Sequence, residues 1–206
     1  MRIILLLGLL IFLSAKALGL GPLQPPAGIW TNTEDVYFAE EEGRTKTPWA
    51  GFRFDQDGNW QRIDHAGQPI SAWQRDPLPG LRTRGQDGWE IGGSELRRAR
   101  DFECWVSRRK FAGKPDGADD WTFDAKLVTF DQGGRIAVEG AGAPPVELRL
   151  RNVTWAKGSK NKPALVLYIH KPGEDRALSY GWASPDAQLV GINLRWVQAS
   201  CSLRAM

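Results

Sequence analysis

The chain is poor in the residues from which common reactive sites are built: two cysteines, two histidines, two methionines and three tyrosines in 206 residues. His65 and His170 have no second His or Cys at ligand spacing, so a zinc site of three or four protein ligands has no donors and no metal is assigned. A Gly-x-Ser-x-Gly elbow is also missing, which leaves a serine nucleophile without its usual frame. No cofactor is assigned.

Long apolar runs are lacking too. None reaches the roughly 20 residues needed to cross a bilayer. The longest, Ile3 to Leu13, follows Met1-Arg2 and precedes Ala15-Lys16-Ala17. Basic start, short apolar core and small-x-small end predict an export signal cleaved after Ala17, with no membrane span left in the mature chain. No Cys follows the run, so lipid attachment is not expected. Residues 18–27, with Pro22, Pro25 and Pro26, read as an extended leader, and 28–206 as a single β domain. The expected location is periplasmic or secreted.

Charge imbalance is small. Without Arg2 and Lys16 the mature chain carries about one net positive charge, too little for a global field that would hold nucleic acid. Hydrophobic content of 42% and charged content of 25% describe a folded domain.

Helical periodicity over ten or more residues is absent, and period-2 alternation dominates. Candidate strands are Val36–Glu40, Gly51–Asp55, Trp60–His65, Ile70–Arg75, Gly88–Ile91, Asp101–Lys110, Trp121–Phe130, Arg135–Glu139, Val146–Trp155, Ala164–His170, Ala177–Trp182 and Gln188–Ser200. Asp57-Gly58, Ala66-Gly67, Asp87-Gly88, Gly133-Gly134 and Pro172-Gly173 supply turns. Ser94 to Arg100 is compatible with a short helix. The fold class is therefore all-β: an antiparallel barrel or sandwich of about ten to twelve strands with little helix. Val146, Leu148 and Leu150 alternate with Glu147, Arg149 and Arg151, which predicts one wet face; Ala164 to Ile169 is apolar on both faces and should be central or covered.

Cys104 and Cys201 each fall on the less polar side of a strand, and in an exported chain such a lone pair is expected to form a disulfide. Asp55-x-Asp57-x-Asn59 copies the start of a calcium loop, but Trp60 and Ala66 stand where the turn Gly and bidentate Glu belong, so a hairpin is expected instead. Positive charge concentrates at Arg97, Arg98, Arg100, Arg108, Arg109, Lys110 and Lys114, a solvated hairpin or a contact for an anionic envelope component. Glu40-Glu41-Glu42 and Asp119-Asp120 are visible acids, although a catalytic carboxylate pair can come from anywhere in a chain.

Ten tryptophans stand out: Trp30, Trp49, Trp60, Trp73, Trp89, Trp105, Trp121, Trp155, Trp182 and Trp196. Trp121, aligned with Phe123 and Leu127, and Trp196, aligned with Leu194 and Ile192, read as core; Trp105 lies opposite Cys104 and Val106 in phase and points outward. Exposed rings of this kind stack on sugars, whereas enclosed ones line apolar cavities.

Gly28-Ile29-Trp30 in the first structured segment, with Arg195 in the last strand, resembles the calycin signature of lipocalins; Gly28-Ile-Trp-Thr-Asn32 also looks like the opening of bilin-lyase calycins. The resemblance implies that Arg195 covers the Trp30 ring as a cation–π pair where first and last strands meet. Asp131-Gln-Gly-Gly-Arg135, Leu148-Arg-Leu-Arg-Asn-Val153 and Gly191-Ile-Asn-Leu-Arg-Trp196 are similar to phrases in uncharacterised secreted Gram-negative β-rich proteins.

The leading expectation is an exported non-catalytic barrel or sandwich binding an apolar or amphipathic ligand, with Trp30, Trp105, Tyr168, His170, Trp182 and Arg195 as candidate contacts. An envelope structural or glycan-contacting domain is the alternative, and a glycan-acting hydrolase with a carboxylate pair the second. An enclosed apolar cavity would favour the first, an exposed Trp row on a flat groove the second, and a cleft with two partly buried carboxylates the third.

Overall fold

A computed structural model describes residues 24–85, 88–110 and 120–205. The expected signal, most of the leader, Asp87 and Lys114 lie outside the described residues. In chain order the elements are β1 (Gly28–Thr31), α1 (Thr33–Phe38), β2 (Gly51–Phe54), β3 (Trp60–Arg62), β4 (Leu81–Arg84), β5 (Gly88–Ile91), β6 (Ser94–Arg98), β7 (Asp101–Arg109), β8 (Trp121–Phe130), β9 (Gln132–Val138), β10 (Val146–Val153), β11 (Ala164–His170), β12 (Ala177–Ala183), β13 (Leu189–Asn193) and β14 (Val197–Leu203). Among the described residues the protein is all-β apart from one short helix.

Three antiparallel sheets result. The first runs β3-β2-β1-β6-β5-β4, the second β12-β11-β10-β9 and the third β13-β14-β7-β8. The second and third face each other across one core. Strands β7 to β14 follow one another around this core in sequence order, and β14 pairs with β7 to complete the circuit. The ladders are interrupted only between β8 and β9 and between β12 and β13, where the strands still abut.

Alternation explains the filling of this body. Phe102, Cys104 and Val106 point inward from β7, Leu148 and Leu150 from β10, Leu165, Leu167 and Ile169 from β11, and Val197, Ala199 and Cys201 from β14. Each large aliphatic or aromatic side chain buried this way contributes about 1.5–3 kcal/mol. Cys104 and Cys201 stand directly opposite each other on β7 and β14 and are disulfide-bonded. Strand β11, apolar on both faces, is central in its sheet, and Phe38 of α1 covers Val166 from outside.

The first sheet wraps a separate cluster of Trp30, Phe52, Phe54, Leu78, Trp89 and Leu96. Ile29 and Ile63 join it to Phe130 of β8, and the Thr31 and Thr33 hydroxyls donate to the Gln132 carbonyl at 3.1 and 2.7 Å. This approach explains Gly133, which is a close-contact position rather than a turn: a Cβ there would lie 2.6 Å from the Thr33 side chain.

Two arginines of the basic stretch are structural. Arg108 is 1% exposed and donates to the carbonyls of Val138, Pro144, Glu139 and Gly140 and to Asp124. Arg100 binds Asp131 at the β8–β9 turn and the carbonyls of Pro185 and Ala187 between β12 and β13, so it ties both ladder interruptions together. Burial raises the Asp131 carboxyl, against the pull of Arg100.

Several expectations need correction. Val36–Glu40 is not a strand but the end of α1 and a turn; Glu34 and Asp35 suit a helix first turn, and packing of Glu34 and Phe38 outweighs local β preference. Ser94–Arg98 is strand rather than helix because it pairs with β1 and β5. Ile70–Arg75 forms no strand but a single isolated bridge, from Gln74 to Trp60. Phe123 is 68% exposed rather than core, since a bulge between Cys104 and Val106, with Lys126 at φ 58°, reverses the alternation before Leu127.

Arg195 also departs from expectation. The long final strand is split by a turn at 194–196, and Arg195 is exposed in it. Strand β1 pairs with β2 and β6, so first and last strands do not meet. Trp30 is buried in its own sheet, with Nε1 donating to the Pro26 carbonyl.

Candidate functional site

The outer face of the β9–β12 sheet gathers the polar and aromatic side chains. Its register sets Arg135, Arg149, Tyr168 and Tyr180 in one row across all four strands. The next row places Arg151, Val166 and Trp182 side by side, and on the other flank Glu147 lies opposite His170.

Helix α1 covers one end of this face. Arg151, expected on a wet face, is instead buried: its Nε and Nη2 donate to the two Glu34 oxygens at 2.8 and 3.0 Å, and both side chains are at most 2% exposed. The guanidinium also lies over the Tyr37 ring at 3.7 Å. Arg135 pairs with Glu147 and, at 3.1 Å, with Asp175.

Arg149 differs. Among the described residues no hydrogen bond or ion pair engages its guanidinium, and its buried Nε has no acceptor. Burial, then the charges of Arg151 and Arg135, push its pKa down to about 10. Beside it His170, 2% exposed, holds the Glu174 carbonyl through Nδ1 at 3.0 Å and leaves Nε2 without a partner. His65, stacked on Trp49 with ring centroids 3.9 Å apart, is the other histidine of this cluster. Burial and the charges of Arg135 and Arg149 hold both imidazoles below their usual value.

Beside the helix, across β11 and β12, lies an open groove of about 920 Å³. Trp155, Tyr168, Tyr180 and Trp182 supply its rings, and Pro163, Val166 and Pro185 lie among its apolar walls. Trp182 is 73% exposed and Tyr180 62%. Tyr168 and Tyr180 are 6.1 Å apart, and Trp155 Nε1 is tied to the Lys162 carbonyl. Burial raises the Tyr168 phenol, which keeps its hydroxyl a donor.

A second cleft, of about 770 Å³, lies between α1 and the first sheet and is polar. Four of its five carboxylates are engaged: Glu34 with Arg151, Asp35 and Glu42 with Arg44, and Glu95 with Arg84 and Arg97; among the described residues Glu90 has no ion-pair partner. The amide of Lys157, followed by Arg44, holds Glu42 below the usual carboxylate range. A general acid working near neutral pH would need the opposite shift.

Of the expected contacts, Tyr168 and Trp182 come together in the groove and His170 stacks against Tyr168 at 5.9 Å. Trp105 lies on the third sheet against Phe123, Trp30 in the first sheet and Arg195 in a turn. Among the described residues of the basic stretch, Arg108 is buried, Arg97 pairs with Glu95, Arg98 donates to the Ala27 carbonyl and Arg100 binds Asp131, while the Arg109 and Lys110 amides serve the ladder. Trp155, Tyr180, Arg135 and Arg149 belong to the site without having been singled out; the alternation of β10 marked Arg149 but not Arg135 on β9, and the cross-strand register that joins them to β12 is not a local signal. Comparison with protein-family models, curated proteins and solved structures finds no match.

Proposed function

We propose that this chain is an exported, non-catalytic binding protein that holds an amphipathic ligand along the groove of Trp155, Tyr168, Tyr180 and Trp182. The carrying observation is that the exposed rings of Trp155, Tyr180 and Trp182, with Tyr168, line an apolar-walled trough. Rings that stay in water when folding would allow them to be covered suit a recognition surface. The space between the second and third sheets is occupied by aliphatic side chains, so the enclosed apolar cavity that would have favoured this reading does not form there, and the reading rests on the apolar groove outside. Beside the Tyr168 and Tyr180 hydroxyls, Asn161, Lys162 and Ser184 are the polar side chains along this trough, and its walls are otherwise apolar, which suits an amphiphile better than a glycan. In the polar cleft four of five carboxylates are ion-paired, so Glu90 stands without a second free carboxylate to form a hydrolytic pair, which favours binding over hydrolysis. Export is supported by the apolar start of the chain and by the Cys104–Cys201 bridge.

Titration with lauryl alcohol below its aggregation limit tests the groove. Tryptophan emission should change saturably, and Trp182→Ala with Tyr180→Ala should abolish the change without loss of folding. An unchanged response in the double variant would place the ligand elsewhere.

A further inference from the structure

We propose that the polar end of the ligand is an anion, a carboxylate or phosphate, and that Arg149 receives it. This rests on the groove being the ligand site and names the class of molecule it takes: an anionic amphiphile.

Three arginines share this face and two have their own carboxylates, Arg135 with Glu147 and Arg151 with Glu34. Arg149 stands between them with none, half-buried and with its Nε sealed from water. A guanidinium withdrawn from water without a counter-ion destabilises the fold, and carboxylates and phosphates match its donor fork. The unpartnered Nε2 of buried His170 is a second unfilled polar position in the same cluster. Both sit on the flank of the sheet away from the Trp155 wall.

Tyr168 connects the two halves. It lines the groove and is also the residue directly opposite Arg149. Neighbouring strands lie about 4.8 Å apart, so Arg149 and Tyr180, two strands away, are separated by about 10 Å across the Tyr168 ring. A ligand anchored at Arg149 therefore lays its apolar body across Tyr168 and Tyr180 towards Trp182. The walls it meets there are Pro163, Val166 and Pro185, which suit an acyl or aryl chain better than the hydroxyl-rimmed faces of an acidic sugar.

Laurate and lauryl alcohol share the chain and differ in the charge. Wild-type protein should bind laurate about tenfold or more tightly than the alcohol, the size of one charge-assisted contact. Arg149→Met keeps the apolar stem, so it should equalise the two affinities by weakening laurate alone. Because Arg149 has no partner among the described residues, the ligand-free variant should melt no lower than wild type. Equal binding of laurate and alcohol to wild type would overturn the anion assignment while leaving the groove intact. Binding of neither would remove the groove and the assignment together. A preference for oligogalacturonate over laurate, or a large fall in the melting temperature of Arg149→Met, would overturn the amphiphile or the free role of Arg149, respectively.

Discussion

The two faces of the β9–β12 sheet are built from the same strands and obey opposite rules. Inward, Leu148, Leu150, Leu165, Leu167 and Ile169 are each at most 1% exposed and fill the space up to β7 and β14. Outward, the same strands carry three arginines, a buried histidine and aromatic rings, part covered by α1 and part left open. Stability is thus concentrated on one face, which frees the other for recognition. Within the outer face the contrast sharpens again over two residues: Arg151 is saturated by Glu34 and Tyr37, whereas Arg149 is not.

The largest effect that breaks this comparison is expected at Arg151. Arg151→Met strands the Glu34 carboxylate in a buried position and should cost about 3–5 kcal/mol in denaturant unfolding. Loss below about 1 kcal/mol would mean that α1 does not seal this end of the sheet. Leu167→Ala, on the inner face, should cost about 2–5 kcal/mol from lost burial and the cavity left behind. A smaller cost would reveal a core that collapses around the gap.

Removing the bridge by Cys104→Ala with Cys201→Ala should destabilise by about 2–4 kcal/mol, since the loop it closes spans nearly the whole β7–β14 circuit. Intact mass of unreduced protein showing two free thiols would contradict the bridge itself.

Acid should have a milder effect. His65 and His170 are held below their usual value, so the unfolded chain takes up protons that the folded chain refuses. Their contribution is complete above about pH 6.5 and is lost as pH falls below it. The melting temperature should therefore drop between about pH 7 and 5, and less so in His170→Asn. An unchanged slope in that variant would remove His170 from the explanation. At the small end, Trp182→Ala should change stability by no more than about 0.5 kcal/mol, because its ring is largely in water already.

Much of the β scaffold was legible because alternation and turn chemistry are local. Gly88–Ile91, Trp121–Phe130 and Ala164–His170 coincide with β5, β8 and β11, and the two cysteines pair as their inward phase implied. What failed was decided elsewhere in the chain. A helix from residues 33–38 covers Arg151, so a face that reads as wet is dry. One extra residue near Lys126 turns Phe123 outward, and three residues at 194–196 turn Arg195 from an inward strand position into an exposed corner. The site was half visible: Tyr168, His170 and Trp182 stood out by type, but their meeting with Arg149, Tyr180 and Trp155 depends on strand register and on where the 155–163 loop returns.

The most direct measurement is a laurate titration followed through the tryptophan indole N–H resonances. The expected result is that Trp155 and Trp182 shift together and saturate, while Trp30 and Trp89, buried in the first sheet, stay in place. Saturable shifts at Trp30 and Trp89, with Trp155 and Trp182 unmoved, would contradict the outer-face site.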